Sequence, residues 1–152
     1  MLDPTVDLVT GEIRTAAQAW PELRDRAEQV REFRPDTPLE VDRLMRQIED
    51  LGFVLADFML TVNEERYAAE LAYSKRLAAG LAKYGSTERS VTVAKALAEQ
   101  DAAPEHAEWL AKKAIYHHVE DIQKALARKH YGLMNTNKGI QHMLGSRDRR
   151  TT

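Results

Sequence analysis

The 152-residue chain is 43% hydrophobic and 30% charged, with a formal net charge of −2, seven glycines, five prolines and no cysteine. That balance supports a buried core and excludes wholesale disorder, collagen-like sequence, a disulfide framework and thiolate chemistry. No apolar run approaches the roughly 18 residues that span a bilayer, and no apolar leader segment is visible, so a cytoplasmic protein without membrane contact is expected.

Charge is placed unevenly. Residues 1–70 hold 16 acids and 8 bases, whereas residues 71–152 hold 8 acids, 14 bases and all five histidines. Two halves that attract each other, within or between chains, account for such asymmetry; a basic half facing nucleic acid is the other reading.

Residues 1–36 read as an N-terminal arm with a short charged helix. Val6 to Ile13 suggests a brief extended piece around Thr10-Gly11, too short for a sheet of its own. Thr15 to Trp20 suggests a helical turn. Pro21 suits the first position of a new helix reaching about Phe33. The arm's apolar content is thin, so this helix is expected to rest on something larger.

Residues 37–146 read as one helical hairpin domain. Thr37 caps, Pro38 takes the first helical position and Glu40 completes a capping box. Leu44, Ile48, Leu51, Leu55, Phe58 and Val62 then repeat at four-three spacing, a coiled-coil-like seam. With no proline before Pro104, this helix is predicted to run to about Tyr84. Near Glu64-Glu65-Arg66 the pattern shifts. Tyr67, Leu71, Ala78 and Leu81 carry one face, with Tyr73 and Leu77 beside it, as where a packing partner changes. Gly85 is predicted to stop the helix and Ser86 or Thr87 to cap the next.

A short linking helix is predicted over about Glu88 to Glu99, with Val91, Ala94, Leu97 and Ala98 inward. Pro104 then opens a second long helix. Val119, Leu126, Leu133 and Ile140 form one heptad row; Ile115, Ile122, Lys129, Thr136 and Met143 form another. His118, Ala125, Gly132 and Gly139 flank the first row, mostly small residues that let a second backbone approach. Poor helix formers around Gly132 and Asn135 to Gly139 allow a break there. Residues 147–152 form a basic tail.

The expected fold is all-α: a long antiparallel helical hairpin with a short linking helix, bundle- or coiled-coil-like. Two helices cannot hide wide apolar stripes on every side, so a third layer is required. The thin arm favours a second copy over the arm itself. On that reading Leu44, Ile48, Leu51, Leu55, Phe58 and Val62 pack against Ile115, Val119, Ile122 and Leu126, within or across subunits, as self-association residues.

Candidate chemistry is sparse. His106, His118, His130 and His142 recur every twelve residues, turning about 120° each time, so they share no face and no metal site is expected. Glu49-Asp50, Glu64-Glu65 and Glu120-Asp121 are adjacent acids pointing apart, read as solvated faces. Asp57 is read as the polar side of an amphipathic turn. No nucleophile elbow or phosphate-cradling loop is present, so no catalytic residue, enzymatic activity or cofactor is expected. One face of the last helix does stand out. Lys113, His117, Lys124, Arg128, Tyr131, Lys138 and His142, with Arg147 in the tail, set basic side chains around an aromatic, as phosphates and unstacked bases require.

The stretch Glu64 to Ala82 (EERYAAELAYSKRLAAGLA), taken with Ile115 to Gly145, resembles small α-helical hairpin proteins of tailed bacteriophages over about residues 40–145. The resemblance implies a non-enzymatic accessory in phage DNA replication, recombination or packaging, in the host cytoplasm, and supplies no catalytic residue. The expected partners are a second copy and DNA or a DNA-metabolism protein. An adaptor or inhibitor binding a host protein through its acidic N-terminal half is the alternative.

Overall fold

The structure, a computed structural model, describes residues 5–6 and 12–148, with side chains as far as residue 139. The side chains of Ile140, His142, Met143 and Arg147, and the tail past residue 148, lie outside the described residues. The protein is all-α, a helical bundle of α1 (Ala16–Glu32), α2 (Pro38–Thr87), α3 (Val91–Asp101) and α4 (Ala103–Asp148) among the described residues. The chain divides into two compact units, one of Met1–Phe58 with Val119–Thr152 and one of Met59–His118. Helix α1 therefore belongs to the same unit as the first part of α2.

In the first unit Val6 and Ile13 form an isolated antiparallel bridge, and Arg14 N donates to Thr5 O at 2.6 Å. Helix α1 then begins on a capping box, with Thr15 accepting from Gln18 N and Gln18 accepting from Thr15 N. This corrects the reading of Pro21 as a helix start: it lies inside α1. The box starts the helix before the proline, and burial of Ala16, Ala19, Trp20, Leu23 and Ala27 holds it together past the missing donor.

These five residues supply the third layer. With them are buried Val41, Leu44, Ile48, Leu51, Val54, Leu55 and Phe58 of α2 and Val119, Ile122 and Leu126 of α4, each 8% exposed or less. The seam is closed within a single chain. Leu44, Ile48, Leu51, Leu55, Phe58, Val119, Ile122 and Leu126 thus pack within the chain, the first of the two arrangements expected, and leave little surface for a second copy at this seam. Small residues let α1 lie close, which a count of large apolar residues overlooks.

The start of α2 matches its sequence. Glu40 N donates to Thr37 Oγ1 at 3.3 Å, while Glu40 Oε2 accepts from Thr37 N at 3.2 Å and Asp36 N at 2.8 Å.

In the second unit α2 continues through Gly85 to Thr87 instead of stopping. Ser86 and Thr87 do not cap a new helix. Their hydroxyls donate back to Lys83 O at 2.8 and 3.3 Å, local side-chain bonds that stay inside the last turn of α2. Helix α3 starts after Ser90, and Val91 is 86% exposed rather than inward. Ala94 and Ala98 are its buried positions. Gly80 sits so close to α3 that an added Cβ would lie 2.9 Å from Ala98 Cα and Cβ. Val62 and Ala69 are also buried here, while Ile115 is half-buried.

Helix α4 does not break at Gly132. Nothing lies within 4 Å of a Cβ built on Gly132 or Gly139, so the close backbone approach expected there is absent. Glycine weakens a helix by about 1 kcal/mol, too little to interrupt one anchored by its packed segments.

Candidate functional site

The first unit presents two features side by side on α4. An open groove of about 310 Å³ is lined by Ile48, Gly52 and Leu55 of α2 and by Gln123, Leu126, Ala127, His130 and Tyr131 of α4, with Glu49 at its edge. Its floor is apolar because Ile48, Leu55 and Leu126 belong to the core. Gly52 and Ala127 keep it open, since neither side chain reaches across. At the rim His130 Nε2 lies 3.1 Å from Glu49 Oε1.

Beside the groove runs the basic stripe. Lys124, Arg128, Tyr131 and Lys138 follow steps of four, three and seven residues, which places them on one helix face. All four are exposed, Tyr131 by 65%. Lys124 Nζ pairs with Glu120 Oε1 at 3.0 Å, both partly solvated. Tyr131 belongs to both features: it lines the groove and stands in the stripe.

Lys129 faces elsewhere. Its Nζ donates to the carbonyls of Val30 at 2.8 Å and Arg31 at 2.6 Å, and to Phe33 O. It caps the C-terminus of α1, where open carbonyls and the negative dipole end favour a cation. Burial, with a smaller effect from Arg34, holds its ammonium below the usual lysine range. A lysine in an apolar heptad row is thereby explained.

Lys113 and His117 belong to the second unit, within a cluster the sequence did not single out. Tyr73 stacks on His106 and Trp109, centroids 4.7 and 5.7 Å away. Lys113 Nζ stands 5.3 Å over the Trp109 ring, and His117 lies edge-on to Tyr116. Arg66 covers Tyr67 and Tyr116 at 4.4 and 4.7 Å. Lys112 meets Glu65 at 2.7 Å with both side chains mostly buried, so Glu65 is not on a solvated face. Glu105 Oε2 and Trp109 Nε1, one helical turn apart, are buried without a hydrogen-bond partner. Heptad counting does not reveal this cluster, because its members come from two helices at unrelated spacings.

Among the described residues, no group of three or more His, Asp or Glu side chains is placed to hold a metal ion. Nor is any described helix long and apolar enough to cross a membrane. The chain matches no protein-family model, no curated protein and no solved structure.

Proposed function

We propose that the protein is a non-enzymatic helical accessory that works by binding, and that the outer face of α4 in the first unit meets single-stranded nucleic acid. The observation that carries this is the exposed stripe of Lys124, Arg128 and Lys138 around Tyr131. Three cations at helical spacing follow a phosphate backbone, and an exposed ring beside an apolar groove gives an unstacked base a surface to lie on. A setting in phage-type DNA replication or recombination comes from the sequence resemblance alone.

Fluorescence anisotropy with a labelled single-stranded oligonucleotide at two salt concentrations tests the reading. Three neutralised phosphates give a slope of about −2 in log affinity against log salt. Tyr131→Ala should weaken binding roughly tenfold, the low end of a lost base stack. No binding at low salt removes the proposal.

A second reading is favoured by Asp42, Asp50 and Asp57 on α2 and Glu22, Asp25 and Glu32 on α1, all exposed. These acids suit a basic protein partner, and the chain would then be an adaptor or inhibitor. Salt-sensitive capture of a basic peptide, without any of nucleic acid, would favour it.

A further inference from the structure

In the second unit α2 is apolar on two opposite faces. The inner face carries the buried Val62, Ala69 and Gly80. About half a turn round the helix lie Leu60, Tyr67, Leu71 and Leu81, which are 66%, 57%, 54% and 42% exposed. Their steps of seven, four and ten residues, with Ser74 and Ala78 filling the last interval, make a heptad stripe roughly 32 Å long at 1.5 Å per residue. Exposed Ala68, Ala72, Ala79 and Ala82 flank it, small enough for another helix to come close. A helix apolar on both sides belongs between two partners, and the chain provides one of them.

We propose that the second partner is another copy of this chain, with the two α2 segments antiparallel across the stripe. Charge argues for this occupant. Residues 59–71 hold Glu64, Glu65 and Glu70 against Arg66 alone, whereas residues 72–87 hold Lys75, Arg76 and Lys83 with no acid. An antiparallel copy lays each negative half on a positive one. A parallel, in-register copy sets Glu64, the acid inside the stripe, against itself, a destabilising contact. Size argues the same way. Reversal about the middle of the stripe sets Tyr67 over Ser74, a large side chain over a small one, with Leu60 over Leu81 and Leu71 near its own copy. Opposed helix dipoles add to the preference. The interface is separate from the seam of the first unit and from the α4 stripe, and it does not depend on nucleic-acid binding.

Sedimentation of the full chain at micromolar concentration tests association, and Leu71→Glu tests the face. The wild type should sediment as a dimer. Leu71→Glu, at an exposed position, should keep its circular dichroism spectrum and raise the dimer dissociation constant at least about a hundredfold, because each interface gains two buried charges. Orientation is read with Ala82→Cys carrying a spin label, in a chain that has no other cysteine. Antiparallel pairing places the two labels roughly 30–40 Å apart, from the helical rise. A monomeric wild type would overturn the proposal, as would a dimer indifferent to Leu71→Glu. Labels within about 15 Å, the spacing of a parallel pair plus label reach, would overturn the orientation claimed.

Discussion

The ring of Trp20 lies nearly flat against that of Phe58, with centroids 5.9 Å apart and planes 13° from parallel. This contact fixes α1 to α2 towards the C-terminal end of the seam and makes the N-terminal segment structural. Trp20→Ala should cost about 3–5 kcal/mol, the range for deleting a large buried aromatic. Denaturant titration measures it. A cost under about 1 kcal/mol, typical of surface substitutions, would mean that α1 does not close the core.

Two glycines in similar helical settings should respond in opposite directions. At Gly80 a methyl group would meet the backbone and side chain of Ala98 at 2.9 Å. Gly80→Ala is therefore expected to destabilise by about 1–3 kcal/mol through overpacking, despite alanine's helix preference. Gly132 faces open space, so Gly132→Ala should stabilise by about 0.5–1 kcal/mol. Thermal midpoints of the two variants against the parent give the comparison.

Lys129 joins α4 to the end of α1 by three hydrogen bonds. Lys129→Met keeps most of the apolar stem and removes the donors. A loss of about 1–3 kcal/mol is expected, with carbonyls at the end of α1 left open. Amide exchange should quicken in the last turn of α1 more than in α2. Equal acceleration in both would show that the clamp is not local.

Glu40 gives a pH dependence. Hydrogen bonds from Asp36 N and Thr37 N hold its carboxyl below 4.5, the ordinary value. A carboxyl with a depressed folded pKa contributes stability that is fully present above its unfolded value and is lost as pH falls through the folded one. Glu40→Gln should quicken exchange of the Asp36 and Thr37 amides, just before α2, at neutral pH. That difference from the parent should vanish once the pH is below the folded value. A difference unchanged in acid would count against the capping box as its origin.

Much of the architecture was legible in residue spacing. Leu44 to Phe58 and Val119 to Leu126 repeat as core positions should, and Thr37-Pro38-Leu39-Glu40 reads directly as a helix start. Misreadings arose where single-residue rules met tertiary packing. Pro21 and Gly85 read as boundaries by local rules, yet each sits inside a helix whose neighbours outweigh its local cost. The packing role of α1 is hard to see in the sequence because three of its five buried residues are alanine, which fills space without raising hydrophobicity much. At the candidate site, spacing alone identified the stripe of Lys124, Arg128, Tyr131 and Lys138. The groove beside it was not legible, since it is lined by residues of two helices far apart in sequence, with the small Gly52 and Ala127 among them. Lys129 shares a heptad row with Ile115 and Ile122, and only the path of α1 explains why a lysine stands there.

The first unit is built from two stretches of chain separated by Met59–His118. On the ribosome, Trp20 and Phe58 emerge well before Val119, Ile122 and Leu126, the residues that finish burying their layer. At about 5–20 residues per second this gap lasts roughly 3–12 s. The intervening unit is contiguous and can close first, bringing the two ends of its neighbour into reach. A nascent chain stalled within α3 therefore presents a greasy, half-made N-terminal sheath, the stage at which a chaperone has most to hold.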